Sequence, residues 1–332
     1  MTQLDSTEPT SRTIQVGIVG TGYAAKRRAE AFGEEPRSHL LAVAGHTQEH
    51  TAKFCQIYGG TPLSWQELVD LPNLDLVVIC NVNSHHAEIT RAALEADKHV
   101  VVEYPLALDP TQAQELIALA KQNNKLLHVE HIELLGGLHQ AVRQHLSKIG
   151  TVFSARYTTL VPQRPAPRRW TYHREMFGFP LSGALSRIHR LTDLFGSVDS
   201  VSCQSRFWDA SSGYFTACFA QAQLRFSCGV VADVVYGKGE TVWRSDRTFE
   251  LHGEKGTLIF AGNQGTLIQE NETPIEVGGR RGLFAQDTQM VLDHLLDGSP
   301  LYVTPTASLY ALKVADATRQ ATETGELLIV DH

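Results

Sequence analysis

Residues 14–25 read IQVGIVGTGYAA, an apolar run that ends in the glycine-rich turn Gly20-Thr21-Gly22-Tyr23-Ala24-Ala25. Residues 26–32 have helical character, which gives the strand, turn and helix order of a nucleotide-binding unit. In such a unit Gly20 permits the tight turn and Gly22 lets the backbone approach a pyrophosphate, while Ala25 replaces a third glycine where helix and strand pack closely. We therefore expect these six residues to bind a dinucleotide at the helix N-terminus.

The same alternation continues through the first part of the chain. Further strands are expected at residues 40–44, 76–80, 99–102 and 126–129, and helices at 47–58, 64–69, 86–96, 111–123 and up to residue 145. Such alternation predicts a doubly wound parallel Rossmann sheet, which we assign to residues 13–130. Ligands lie beyond the carboxyl ends of such strands, so the expected cofactor contacts include Asn81, Asn83, His86 and Glu103.

The pattern changes near Gly150, where strands begin to follow one another without intervening helices. Strand-like runs occupy residues 152–159, 198–207, 216–226, 229–236 and 248–252, with turns at 237–240 and 253–256. Helices are expected around 286–296 and 307–322. We therefore predict a substrate domain over residues 131–332, built on an open and mostly antiparallel sheet. Residues 1–12 are polar and are expected to form a flexible tail without a signal peptide.

Composition restricts the classes of partner. A chain of 332 residues favours two domains, and the formal net charge of −7 disfavours nucleic acid and anionic membranes, so a small molecule is the expected partner. No apolar run approaches the roughly 20 residues of a membrane span. The five cysteines are scattered, which argues against disulfides and zinc and favours a cytoplasmic location. We expect no metal, and the oligomeric state stays open.

The end of the second strand bears on the choice of cofactor. Enzymes that prefer NAD usually carry a carboxylate there for the ribose hydroxyls, whereas this chain has Gly45-His46-Thr47. Without that negative charge the site admits a ribose phosphate, to which His46 and Thr47 can donate hydrogen bonds. We therefore predict NADPH, with NADH as the weaker alternative. Lys26 or Arg27 either contacts the same phosphate or, together with Arg28, solvates a helix face.

Two segments resemble the glucose–fructose oxidoreductase and inositol dehydrogenase superfamily: residues 75–80, and Glu103-Tyr104-Pro105-Leu106-Ala107-Leu108. Members of that superfamily carry Glu-Lys-Pro at the second segment, and their lysine acts with an Asp and a His when an alcohol and a carbonyl interconvert. Here Tyr104 stands for the lysine. When residues 183–193 are aligned on Asp193, Ser186 and Arg190 take the positions of the Asp and the His.

A more specific resemblance covers residues 16–314. The motifs that carry it are Glu103-Tyr104-Pro105-Leu106, residues 128–137 (HVEHIELLGG), Arg169-Trp170-Thr171-Tyr172-His173 and Leu185-Ser186-Arg187. Together they resemble the biliverdin reductase family of the cyanobacterial type. The resemblance implies hydride transfer from NADPH to the central methine bridge of biliverdin, which gives bilirubin.

Biliverdin is a flat tetrapyrrole with two propionates, so its site needs aromatic walls and cations. Arg187 is expected at the reacting centre. It either stabilises the bilin directly or relays a proton through a water, a propionate or another acid, because arginine itself is effectively always protonated. Further catalytic candidates are Arg190, Tyr104, Glu103 and His131, of which Glu103 and His131 fit a structural role equally well. Expected bilin contacts are Tyr104, His131, Arg169, Trp170, Ser186, Arg187, Phe284 and Asp287.

Two other functions stay open at the level of the sequence. A sugar or polyol dehydrogenase of the same superfamily would share the fold and the glycine turn, although the lost lysine leaves alkoxide protonation without an obvious residue. A regulator that senses NAD(P) without catalysis would keep cofactor binding and lose turnover. Nicotinamide absorbance changes with a panel of sugars and polyols would identify the first, and cofactor affinity without turnover on any bilin would identify the second.

Overall fold

The computed structural model describes residues 12–330, so the expected tail lies outside the described residues except for Arg12. Within that range, a six-stranded parallel sheet has the order β3-β2-β1-β4-β5-β6. Its elements are β1 (Ile14–Val19), α1 (Tyr23–Glu34), β2 (Ser38–Ala44), α2 (Gln48–Tyr58), β3 (Thr61–Leu63), α3 (Trp65–Val69), β4 (Leu76–Ile79), α4 (His86–Glu95), β5 (His99–Glu103), α5 (Pro110–Gln122) and β6 (Leu127–Glu130). This is the predicted Rossmann sheet.

The parallel sheet is covered on both faces, which explains its continuous apolar strands. Val77, Val78 and Ile79 follow one another in β4, and each is at most 1% exposed. Side chains at successive strand positions point to opposite faces, so such a run is stable only between two layers of helices. The carboxyl ends of β1, β4 and β5 therefore open toward one common edge, where the glycine turn also lies.

The described chain continues into a nine-stranded sheet with the order β14-β13-β12-β11-β7-β10-β9-β8-β15. Only β7 and β10 pair in parallel, and the other neighbours are antiparallel. Its elements are α6 (Gly137–His145), β7 (Val152–Pro162), α7 (Arg174–Phe177), α8 (Pro180–Gly183), α9 (Ser186–Phe195), β8 (Val198–Asp209), β9 (Phe215–Phe226), β10 (Val231–Gly239), β11 (Asp246–Gly253), β12 (Gly256–Ala261), β13 (Gln264–Ile268), β14 (Glu272–Glu276), α10 (Leu283–Asp297), α11 (Pro305–Thr324) and β15 (Leu328–Ile329). The predicted fold class is confirmed.

Two details of the sequence reading were wrong. The turn expected at residues 237–240 is instead the end of β10, because Gly237, Lys238 and Gly239 pair with β7 on one side and with β9 on the other. Strands β12, β13 and β14 were not predicted, since they are short and their alternation is interrupted by glycine and polar residues. The turn at residues 253–256 is confirmed, and it joins β11 to β12.

The two C-terminal helices connect the sheets. Helix α11 packs on β8 and α9 and also on α5 and β6, while α10 packs along α1. At the α1–α10 contact the guanidinium of Arg28 is completely buried and forms an ion pair with the equally buried Asp287. The second carboxylate oxygen of Asp287 bonds to His128 Nε2 at 2.8 Å. No helix within residues 12–330 combines the length and the apolar character that crossing a membrane requires.

We predict that Asp287→Ala lowers the free energy of unfolding by about 3–5 kcal/mol, because it leaves a buried guanidinium without its partner. The exposed pair of Arg91 and Glu115 is the matched control, and Glu115→Ala should cost less than about 1 kcal/mol. Urea unfolding followed by circular dichroism measures both variants. Similar losses in the two variants would contradict this account of Arg28.

Candidate functional site

A cavity of about 1370 Å³ opens at the carboxyl edge of the parallel sheet and extends toward the second sheet. We call it the cleft. Its walls combine the glycine turn, the loops after β4, β5 and β6, and segments from the second half of the chain. Its lining includes Gly22, Tyr23, Ala24, Asn81, Asn83, His86, Glu103, Tyr104, Glu130, Glu133, Arg169, Trp170, Arg280 and Phe284.

The glycine turn has the geometry that a pyrophosphate site requires. Gly20 has φ +129°, and a Cβ at this position would lie 2.5 Å from the carbonyl oxygen of Cys80. At Gly22 a Cβ would meet no atom within 4 Å, so the space above it is open to a ligand. Gly22 caps α1 without any side-chain hydrogen bond, and the first turn carries no acidic residue. The first amides of α1 therefore fit an anionic group.

The loop after β2 occupies the position where the ribose of a dinucleotide is recognised. His46 and Thr47 are both exposed there. The Thr47 hydroxyl caps α2 by accepting a hydrogen bond from the backbone N–H of His50 at 3.3 Å. Gly45-His46-Thr47 brings no carboxylate to this edge, which fits the predicted NADPH. The contacts themselves stay predictions.

The loop after β4 supplies part of the cleft wall. Asn83 is buried, and its side-chain amide donates to the carbonyl of Phe177 at 3.1 Å. His86 bonds through Nδ1 to the carbonyl oxygen of Pro105 at 2.8 Å. Burial lowers the pKa of His86, so its imidazole is neutral at physiological pH. Asn81 keeps a side-chain oxygen without a partner among the described residues, next to the cofactor side of the cleft.

A group of carboxyls forms the floor of the cleft. Glu103 ends β5, Glu130 ends β6, and Glu133 follows one turn later. Burial raises the pKa of Glu103, although the Arg28 guanidinium 3.4 Å away acts to lower it. Burial and the neighbouring Glu103 raise the pKa of Glu130 well above its usual range. Glu130 and Glu133 received no role in the sequence reading, although both belong to the motif at residues 128–137.

Tyr104 stands at the cleft side of this floor and begins a chain of hydrogen bonds. Its hydroxyl lies 3.3 Å from Glu133 Oε1 and 3.2 Å from Ser186 Oγ. Burial raises the pKa of Tyr104 well above its usual range, so the phenol stays protonated. Ser186 Oγ in turn accepts from Arg187 Nη1 at 2.9 Å. Tyr104 and Ser186, which stand at the Lys and Asp positions of the superfamily, are thus hydrogen-bonded to each other, and Arg187 joins them. Arg190, at the His position, lines a separate cavity.

Arg187 and Arg190 lie on the same side of α9 and point into a second, smaller cavity of about 170 Å³. Arg187 Nε donates to Thr159 Oγ1 at 3.4 Å, and its guanidinium lies 5.5 Å from the centre of the Tyr236 ring. Burial alone would lower the pKa of Arg187, but the surrounding acidic groups, Tyr157 first, raise it. Arg187 is therefore a permanent cation on a half-buried side chain.

Two further candidates support the cleft from behind and do not line it. His131 is 1% exposed, stacks on the Tyr104 ring at 5.0 Å between ring centres, and bonds to Ser308 Oγ at 2.8 Å. Burial lowers its pKa well below the usual range. Asp287 is fully buried against Arg28, which separates its carboxylate from the cleft. Phe284, in contrast, lies in the cleft wall.

The loop that carries Arg169 and Trp170 forms the outer wall. Arg169 Nε donates to Thr171 Oγ1 at 2.9 Å, which keeps its guanidinium beside the cleft. Lys238 supports the loop from below by donating to the carbonyl of Thr171 at 2.5 Å. Its ammonium also lies 3.5 Å from the centre of the Phe177 ring, and burial lowers the pKa of Lys238 to about 8. No pattern in the sequence indicated this buried lysine.

Comparison with known proteins gives similar relatives. A crystal structure of the biliverdin reductase from Synechocystis sp. PCC 6803, in complex with biliverdin and NADP+, is 57% identical, with a TM-score of 0.92 over 93% of this chain and 99% of that chain. Biliverdin reductase A from Mus musculus is 31% identical over 59% of this chain, and that from Homo sapiens is 32% identical over 58%. These two alignments span 63% and 61% of the mouse and human proteins, which is less than two thirds.

We predict that Gly22→Ala weakens NADPH binding roughly tenfold or more while the unfolding midpoint is unchanged, because the added methyl meets no protein atom and would meet the pyrophosphate. Gly20→Ala should instead destabilise the fold, since its Cβ overlaps the Cys80 carbonyl. Gly33→Ala, at an open position of the same helix, is the control for both. Fluorescence titration with NADPH and thermal unfolding give the two readouts. Unimpaired binding by Gly22→Ala would rule out this position for the pyrophosphate.

Family models match both parts of the chain. Residues 14–131 match the oxidoreductase family with an NAD-binding Rossmann fold, and residues 142–330 match the C-terminal alpha/beta domain of the same oxidoreductase family. Because the two matches occupy most of the described residues, this chain belongs to the glucose–fructose oxidoreductase and inositol dehydrogenase superfamily.

Proposed function

We propose that this protein reduces biliverdin to bilirubin with NADPH. The observation that carries the proposal is the hydrogen-bonded series Tyr104, Ser186 and Arg187 beside the cleft, in which Tyr104 and Ser186 stand where sugar-oxidising relatives have the titrating Lys and Asp. A site without an alcohol base suits a substrate that accepts hydride into a conjugated system. The similarity to a biliverdin reductase that was crystallised with biliverdin and NADP+ supports the same substrate and cofactor.

The dimensions and lining of the cleft fit these two ligands together. Sites for ordinary small ligands measure about 300–1000 Å³, and the cleft exceeds that range at about 1370 Å³. One end offers the glycine turn to a dinucleotide. The other end presents Tyr104, Trp170 and Phe177, whose rings suit a flat tetrapyrrole. Phe284 lies nearer the glycine turn, with its ring centre 6.2 Å from that of Tyr23.

The reaction adds a hydride to the central methine carbon and a proton to a pyrrole nitrogen. Bound NADPH supplies the hydride. Negative charge then spreads over the bilin, and the permanent cation of Arg187 stabilises it from the edge of the cleft. Because Arg187 keeps its own proton, we assign the mobile proton to the Tyr104 hydroxyl, which is linked to both Glu133 and Ser186. Burial raises the pKa of Tyr104, but Arg187 and the Ser186 hydrogen bond act to lower it and so favour the phenolate left after transfer, which regains a proton from water in the open cleft. Arg187 would thus bias the proton transfer through Ser186 without supplying the proton.

Other aspects of the proposal concern the setting of the enzyme. We propose a cytoplasmic location because Cys80, Cys203 and Cys218 are buried free thiols, which suits a reducing compartment. We also propose that residues 13–130 form the cofactor domain and that residues from 131 onward form the substrate domain. A small molecule is the proposed partner, and the negative net charge disfavours nucleic acid.

The test of the reaction mixes purified protein with NADPH and biliverdin and follows the loss of biliverdin absorbance and the growth of the bilirubin band. We expect turnover, and we expect Arg187→Ala to lower it at least tenfold, about 1.4 kcal/mol, while NADPH binding is retained. Arg156→Ala is the control, because this exposed arginine lies on β7 away from both cavities.

Three outcomes would contradict the proposal. Absence of bilirubin at every pH from acidic to neutral would reject the substrate. Nicotinamide oxidation or reduction with a panel of sugars and polyols, but not with biliverdin, would make the protein a polyol dehydrogenase. Full turnover by Arg187→Ala would remove Arg187 from the mechanism and leave the substrate assignment intact.

A further inference from the structure

We propose that the smaller cavity is a carboxylate subsite that receives one propionate of the bilin, an inference that rests on the proposed function. The cavity lies between α9 and the second sheet and is lined by Arg187, Arg190, Tyr157, Thr159, Arg247 and Asn263 among others. It shares Glu133 and Arg280 with the cleft, so the two cavities are neighbours. A substituent of a ligand that lies in the cleft can therefore reach it.

Arg190 provides the main observation. It is only 3% exposed, and neither its Nε nor its Nη1 has a hydrogen-bond partner among the described residues. The centre of the Tyr157 ring lies 5.8 Å from its guanidinium carbon. A buried guanidinium without a carboxylate is costly, because its desolvation is not offset by an opposite charge. Such a group is stabilised when an anion enters the cavity.

The other charged residues that line the cavity also leave an excess of positive charge. The hydrogen bonds of Arg187 within the described residues go to the hydroxyls of Ser186 and Thr159, which carry no charge. Glu133 is the one carboxylate among the described lining residues, and it lies 3.1 Å from Arg280. Among the described residues, Arg187, Arg190 and the more exposed Arg247 therefore form no ion pair with a carboxylate of the lining. A carboxylate that enters the cavity would accept charge-assisted hydrogen bonds from these guanidinium groups.

The size of the cavity determines which anion it takes. At about 170 Å³ it is smaller than the 300–1000 Å³ of ordinary ligand sites, so it excludes a tetrapyrrole but has room for a side-chain carboxylate. The second propionate of the same bilin would remain near the mouth of the cleft, where Arg169 lies. A propionate held by Arg190 would fix the bilin relative to Arg187, which is three residues earlier on the same helix.

The test compares biliverdin with biliverdin dimethyl ester, in which both carboxylates are neutral. We expect the wild-type protein to have a KM at least tenfold higher for the ester. In Arg190→Met the KM for biliverdin should rise toward that of the ester, and the ratio of the two should fall to less than half of its wild-type value. Arg190→Lys should restore part of the difference, because it returns a positive charge without the fork of the guanidinium.

The matched control is Arg156→Met, which removes an arginine from the exposed side of β7 and should keep the wild-type KM ratio. Thermal unfolding excludes a trivial loss of structure. Methionine removes an unpartnered buried charge, so Arg190→Met should unfold at the wild-type temperature or above it. A KM that rises equally for acid and ester in Arg190→Met, or does not rise at all, would overturn the subsite.

A free anion from solution is the alternative occupant of the smaller cavity. Addition of inorganic phosphate or propionate distinguishes it from the bilin carboxylate. If the bilin carboxylate fills the cavity, added phosphate or propionate should compete with biliverdin more strongly than with the ester. Stimulation of biliverdin reduction itself by either anion would show a free-anion site and overturn the assignment to the substrate. Failure of the proposed function is separate, because it appears as absence of biliverdin turnover in the wild-type protein.

Discussion

The completely buried guanidinium of Arg28 is the constraint on which the site depends. It extends from α1, directly after the glycine turn, and is held by Asp287 of α10 and by Glu103 at the end of β5. Burial alone would lower the pKa of Arg28, but the two carboxylates raise it. One side chain thereby joins the cofactor helix, the cleft floor and a helix from the last part of the chain. Loss of any partner would leave a buried charge in the middle of this junction.

The same network influences the chemistry of the cleft floor. Arg28 stabilises the ionised form of Glu103, while burial opposes it. The pKa of Glu130 is raised by burial and by the neighbouring Glu103. The floor is therefore a set of acidic groups that do not all ionise together. Tyr104 lies above this floor, and its hydroxyl donates a hydrogen bond to Glu133. A lysine at this position would be drawn into an ion pair with these carboxyls, whereas the neutral phenol keeps a proton available to the cleft.

The sequence was sufficient for the fold because its pattern is local. Strand and helix alternate within short distances from Ile14 onward, and buried parallel strands have continuous apolar runs. The short strands β12 to β14 lack that signal. The sequence predicted candidate residues of the site, but not the ion pairs and hydrogen bonds between them. For Arg28 the sequence offered only a solvated helix face as one alternative, because nothing in the sequence connects it with Asp287, which is 259 positions away. The burial of Lys238 was not predicted for a similar reason, since its aromatic neighbours come from other segments of the chain.

Arg187 and Arg190 show how one helix can separate two tasks. Residues three apart on a helix share a face, so α9 presents both guanidinium groups to the same cavity. Arg187 is already fixed by Ser186 and Thr159, which leaves it little freedom to follow a ligand. Arg190 has no such partner on Nε or Nη1 and is free to bind an anion. A preorganised cation is effective where charge develops during reaction, because it needs no rearrangement. An unpartnered buried cation is effective in binding, because an anionic ligand offsets the desolvation cost of the guanidinium. The two arginines therefore occupy their positions for different physical reasons, although their sequence environments look alike.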